Sequence, residues 1–237
     1  MKKILLATAA IIGAAQPALA QDASSFDGVY AGVQVVGARV QETYNDSQEW
    51  YFDNITVRKE KTGAIAGLHA GYNSVHGALL VGVEAEVNFG VIDTFAETTP
   101  IDPSYSIGSR TSVLGSARVK LGVTDGKFAA HVNGGYAFSN TKHNYMESDG
   151  SDEYFNDNGD RSGWVLGFGV DYAVSSRTSL GIAFSHYQFG TEDHTLLDRS
   201  GVLSDCSGWT AAAPDGLCHF PMRNKIETMA VKYSYRF

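Results

Sequence analysis

Three features of the sequence predict an all-β protein, an eight-stranded antiparallel up-and-down transmembrane β-barrel. An export signal opens the chain, eight later segments alternate apolar and polar residues with period two, and the gaps between those segments alternate long and short. A strand with one apolar and one polar face separates two environments. In hydrocarbon only helices and closed barrels satisfy every backbone amide, and no later segment reaches the ~20 apolar residues of a spanning helix.

The chain begins Met1-Lys2-Lys3, runs apolar from Ile4 to Ala15, and presents Ala18-Leu19-Ala20 before Gln21. A basic start, a short apolar stretch and an A-x-A site define a secretory signal peptide. Residues 1–20 are therefore expected to be removed, leaving one barrel domain over residues 21–237. Glycine is abundant at 26 residues, Tyr and Phe number 12 each, and Pro only 5, a composition that favours strands.

The first segment, Gly28 to Gln41, sets Val29, Ala31, Val33 and Val35 against Gly28, Tyr30, Gly32 and Gln34. Residues 42–60 lose the alternation and are acidic, so they read as a long loop. Thr62 to Tyr72 follows, with a short break over Asn73 to Gly77. The third segment is the cleanest: Leu79, Val81, Val83, Ala85, Val87 and Phe89 oppose Gly82, Glu84, Glu86 and Asn88. Carboxylates are costly against lipid, so this polar face must point inward.

Val91 to Tyr105 holds Pro100 and Pro103 and reads as a second loop. Thr111 to Val123 is the fourth segment, joined through Asp125-Gly126, a type I′ hairpin pair, to the fifth at Phe128 to Ser139. The most acidic gap, Asn140 to Arg161, precedes the sixth segment, Gly163 to Val174. A turn at Ser175 to Arg177 leads to the seventh, Thr178 to Phe189. The longest gap, Gly190 to Asn224, contains Cys206 and Cys218. In an exported chain that spacing reads as one disulfide closing a small loop.

The last segment runs from Lys225 to Phe237, with Met229, Val231, Tyr233, Tyr235 and Phe237 outward. Eight strands with alternating gaps place both termini in the periplasm, with short periplasmic turns and four long extracellular loops in the outer membrane of a Gram-negative cell. A soluble lipocalin-type barrel would close the same way, but it would carry its apolar face inward. Here the charged residues share the glycine-rich face.

Those inward residues include Glu84, Glu86, Arg118, Lys120, Asp171, Lys232 and Arg236, with His69 and His131 among them. An eight-stranded barrel has room inside for side chains only, so they are expected to form a charge network filling the lumen. A small-solute pore is the alternative. Without Lys2 and Lys3 the chain carries 16 basic and 26 acidic side chains, near −10, which speaks against a nucleic-acid partner. No metal site is expected, since only His219 accompanies the cysteines. Ser185 and His186 are adjacent and so face opposite sides of one strand, which argues against a nucleophile–base pair and an enzyme.

Phe26-Asp27-Gly28-Val29-Tyr30-Ala31-Gly32 resembles the W-x-G-x-Y-x-G opening of the small alphaproteobacterial outer-membrane immunogenic and opacity-related surface proteins, with Phe in place of Trp. Gly82-Val83-Glu84-Ala85-Glu86, Tyr187-Gln188-Phe189-Gly190 and the terminal Tyr233-x-Tyr235-Arg236-Phe237 are similar to that family too. The resemblance implies a monomeric barrel; no cofactor is expected, and outer-membrane lipid and lipopolysaccharide are the expected surroundings. It also implies an assembly signal at Tyr233, Tyr235 and Phe237, read by the barrel-assembly machinery, and a surface-antigen, adhesin-like or envelope-integrity role. Some relatives bind haem or host surfaces; His143, Tyr145, His194 and His219 are the loop side chains with suitable chemistry.

Overall fold

A computed structural model of the chain describes residues 25–45, 56–94, 105–147, 154–155, 159–197, 201–203, 216–217 and 219–237. The segment expected to be a signal peptide and both cysteines lie outside the described residues. Nine strands follow one another among the described residues: β1 (Gly28–Asn45), β2 (Thr56–His76), β3 (Leu79–Asp93), β4 (Tyr105–Thr124), β5 (Phe128–Glu147), β6 (Tyr154–Phe155), β7 (Asp160–Ala173), β8 (Thr178–Leu197) and β9 (His219–Arg236). Eight of them form one antiparallel ring, because β9 pairs with β8 on one side and with β1 on the other. The two-residue β6 stands outside that ring and pairs with the far end of β8.

The alternation sorts the two faces as the residue types require. Along β3 exposed Val81, Val83 and Phe89 alternate with buried Glu84, Glu86 and Asn88. The same holds around the ring: Val33, Val119, Val132, Leu166, Ile182 and Val231 all stand exposed on the outer wall. An apolar belt that encircles a chain far exceeds the patches a water-facing surface tolerates. Aromatic side chains border it near the turns, with Phe128 against Tyr172 at 4.9 Å and Tyr235 against Phe237 at 5.4 Å between ring centroids. At the other border Tyr136 and Trp164 are direct cross-strand partners. Such girdles mark membrane–water interfaces.

Tight connections close one end. Gly77 adopts φ +62° between β2 and β3, and Gly126 φ +92° between β4 and β5, backbone conformations glycine reaches without steric penalty. Beside Gly126, the Asp125 carboxylate accepts hydrogen bonds from the amides of Lys127 (2.9 Å) and Phe128 (2.7 Å). Between β7 and β8 the Ser175 hydroxyl accepts from the amides of Arg177 and Thr178, both at 3.1 Å.

At the opposite end the strands run further than the alternation predicts. The first continues to Asn45 and the second begins at Thr56, inside the stretch expected to be loop. The fifth reaches Glu147, the eighth reaches Leu197, and the last begins at His219 rather than near Lys225. Ladder irregularities between Phe89 and Ile92, Thr111 and Val113, and Gln188 and Thr191 fall near these departures. Each extra residue flips the side chains beyond it, so a strict period of two is lost while the strand goes on.

Candidate functional site

The lumen is filled in layers. At the turn end Phe26, ahead of β1, is buried with Leu80 and Ala129, and Val75 and Ala173 pack around them. Above this cap lie the charges. Lys232 Nζ donates to Glu84 Oε1 at 2.6 Å, Lys120 Nζ to Glu84 Oε2 at 3.4 Å, and the Tyr30 hydroxyl to Glu84 Oε2 at 2.8 Å. Next to it, Arg118 Nη2 donates to Glu86 Oε1 at 2.5 Å, and the Tyr187 hydroxyl donates to the same oxygen at 2.5 Å. Every remaining face of the Arg118 guanidinium is used: Nε donates to Ser116 Oγ at 2.7 Å, and Nη1 to Ser185 Oγ at 2.8 Å and Asn133 Oδ1 at 3.2 Å. Gln34 joins the layer by donating to Asn88 Oδ1 at 2.6 Å.

Glycine makes room for these groups. A Cβ on Gly71 would sit 2.5 Å from the Tyr30 hydroxyl, and one on Gly32 would sit 2.7 Å from the His69 ring. Both positions need a backbone that a large side chain can approach closely. Above the charges an apolar layer of Val36, Ile65, Leu114, Phe189 and Ile226 closes the section, each at most 6% exposed. Buried charges are tolerated where partners replace the lost water, and here each carboxylate has several.

Of the seven inward charges read from the sequence, Glu84, Glu86, Arg118, Lys120 and Lys232 meet in this network. Asp171 stands to one side, with the His131 Nε2 atom 4.0 Å away. Arg236 does not reach Glu84, Glu86 or Asp171; its guanidinium donates to the Ser176 carbonyl at the turn end, because it is the last residue of β9. Tyr30, Gln34, Asn133, Ser185 and Tyr187 are network members that charge alone does not reveal. Inward parity combined with a polar atom is the signal that finds them.

Ser185 and His186 do face opposite ways: Ser185 lies inside on Arg118, whereas His186 is outside, 3.8 Å from Glu227 and 5.7 Å from the Trp164 ring. Among the histidines considered for haem, His143 and His194 are not presented to solvent. They are buried inside the loop end with ring centroids 4.9 Å apart, and Arg161 Nη2 donates to His143 Nδ1 at 2.8 Å. Their burial follows from the longer strands, which enclose positions expected to be loop. His219 is paired with Asp193 at 2.6 Å. The side chain of Tyr145 lies outside the described residues. Tyr233, Tyr235 and Phe237 form the outward row of the last strand, and the Phe237 amide donates to the Val29 carbonyl at 3.1 Å.

A closed antiparallel ring with an apolar outer belt and a packed polar lumen defines a membrane β-barrel protein. The family described as outer membrane protein beta-barrel domain matches residues 6–204, and the chain belongs to it. Among solved structures, the outer membrane protease OmpT from Escherichia coli is similar over 90% of this chain and 97% of its own, at 9% identity and a TM-score of 0.50. Neisserial surface protein A is similar over 89% and 98%, at 12% identity and a TM-score of 0.39. The attachment invasion locus protein Ail of Yersinia pestis, solved with the heparin analogue sucrose octasulfate, is similar over 89% and 99%, at 11% identity and a TM-score of 0.41. At these identities the likeness concerns the fold. No curated protein sequence matches the chain.

Proposed function

We propose that the protein is a surface barrel whose role is structural, supporting envelope integrity and presenting its loop end outside the cell, rather than a solute channel. One observation carries this reading: the charge network and the apolar layer above it fill the section of the lumen, and the polar atoms at its centre bind one another. A conducting pathway needs polar groups that face water, and in eight-stranded barrels the interior is just wide enough for side chains. The reading extends to a monomer with both termini in the periplasm, assembled through Tyr233, Tyr235 and Phe237 and related to the opacity-type surface proteins. It also includes the signal peptide at residues 1–20 and the Cys206–Cys218 disulfide. Attachment to a host surface through the loops is compatible with the same scaffold, since a rigid barrel presents loops well.

Reconstitution of the refolded protein in planar bilayers tests the central point. The expected outcome is a bilayer without large steady conductance. Stable nanosiemens-scale openings from the unmodified protein would replace this reading with that of a pore.

A further inference from the structure

The outer wall is not uniform in charge above its apolar belt. On β2, β1, β9 and β8 the cross-strand register builds three successive outward rows. The lowest contains Thr62, Arg39, Glu227 and His186; the next, Glu60, Gln41, Lys225 and Gln188; the highest, Arg58, Thr43, Arg223 and Thr191. Four cations therefore share one sector of a chain whose net charge is −8. These three rows hold two carboxylates, and Asp193, two residues beyond Thr191, is paired with His219. Glu60 is engaged by Arg39, and Glu227 lies 3.8 Å from His186. Among the described residues, Arg58, Arg223 and Lys225 have no carboxylate partner; Arg223 Nε donates to the Thr191 hydroxyl at 3.3 Å.

The opposite wall differs. There Arg110 and Lys142 stand in register with each other, and Asp93 is the next residue across from Arg110 while Asp160 sits one strand beyond Lys142. Those charges balance one for one. The cationic sector is a local excess, not a general property of the rim.

Directly below the same sector the apolar wall is hollowed into a groove of about 640 Å³, lined by Val33, Val35, Ala66, Leu68, Val231 and Tyr233. Val35, Ala66 and Val231 are cross-strand partners, and Arg39 lies four residues further along β1 from Val35. At ~3.3 Å per residue, that distance is about 13 Å along the strand before tilt. Trp164, paired with Gln188, puts in the Lys225 row an aromatic of the kind that favours the membrane–water interface. A groove in the hydrocarbon region thus ends beneath a cluster of arginines and a lysine at headgroup level.

From this juxtaposition we propose that the β2-β1-β9-β8 wall docks one phosphorylated glycolipid of the lipid A type. Its phosphates would sit on Arg39, Arg58, Arg223 and Lys225, with one acyl chain lying in the groove. Arginine suits this task because its planar donors match phosphate oxygens in pairs, and basic residues near a membrane surface attract anionic headgroups. The choice of lipid A over a phospholipid rests on the proposed orientation, in which the loop end faces the outer leaflet. The site itself is defined by the wall alone.

The test is native mass spectrometry of the refolded barrel released from detergent. It is mixed separately with bis-phosphorylated lipid A, with the same lipid after phosphatase treatment, and with phosphatidylglycerol. The expected result is retention of one phosphorylated lipid A per barrel. Retention should fall about tenfold or more after dephosphorylation and in the double variant Arg223→Glu with Lys225→Glu. Arg110→Glu with Lys142→Glu on the opposite wall should retain lipid A normally. Folding of every variant is verified by its heat-modifiable gel mobility.

Equal retention by the Arg223/Lys225 variant, equal loss in the opposite-wall variant, or indifference to phosphate would each overturn the site. Phosphatidylglycerol held as tightly as lipid A would overturn the choice of ligand. Binding in detergent does not depend on which leaflet the loop end faces. A failed orientation, read by labelling the loop end on intact cells, is therefore distinguishable from a failed site.

Discussion

Two ion pairs of this barrel use the same chemistry in opposite surroundings. The Lys232 and Glu84 side chains at the centre of the lumen are 9% and 4% exposed, whereas Arg39 and Glu60 on the outer rim are 48% and 35% exposed. Water screens the rim pair and would solvate either partner if the other were lost. In the lumen water does not take the place of a missing partner, and Glu84 alone accepts from Lys232, Lys120 and Tyr30. Position relative to water, rather than the identity of the pair, decides how much each one matters.

The largest effect should come from Glu84→Ala, which takes the carboxylate from Lys120 and leaves Lys232 only the more distant Glu86 at 3.9 Å. The expected loss is about 3–5 kcal/mol in the unfolding free energy of the refolded barrel in urea. A loss under about 1 kcal/mol would mean that water enters the lumen and solvates Lys120 and Lys232. Arg39→Ala, by contrast, should change the same free energy by less than about 1 kcal/mol, as exposed pairs generally do. An effect comparable with Glu84→Ala would erase the distinction between the two environments.

The smallest effect concerns a third carboxylate, fully outside the belt. Hydrogen bonds from the Phe128 and Lys127 amides hold Asp125 below its ordinary value of 3.8. A lowered folded-state value means that the unfolded chain binds the proton more tightly. The turn therefore contributes stability above pH 3.8 and loses it as pH falls through the lower, folded-state value. Asp125→Asn should flatten that acid limb of the unfolding midpoint while leaving the neutral value nearly unchanged. An acid limb identical in both proteins would show that other carboxylates account for it.

Much of the architecture could be read in advance because a membrane enforces period two. Val81, Val83 and Ala85 must meet lipid, so Glu84 and Glu86 between them must point inward. Above the belt that constraint lapses. Around Glu42 and Tyr44 both faces of β1 can be polar or aromatic, and the extension looked like loop although its ladder to β2 continues to Asn45. The bulge between Gln188 and Thr191 hid the upper part of β8 in the same way. Partnerships within the lumen were also beyond reach. Glu84 and Lys232 are 148 positions apart, and their meeting depends on ring closure. Parity showed which side chains enter the lumen, but the stagger of the strands determines which of them touch. Hence Arg236, inward by parity, ends at the rim instead of at Glu84.

The seam between β1 and β9 also governs how the chain can fold. Tyr30 is matched with Arg236, so the first strand receives its second partner from nearly the last residue of the chain. Contacts of such sequence separation carry the largest loop-closure entropy and form slowly. Until β9 arrives, β1 offers one unpaired row of amides and carbonyls, an edge that other strands can capture. The interval between emergence of the first strand and delivery of the last is therefore the period in which this chain most needs shielding from its neighbours.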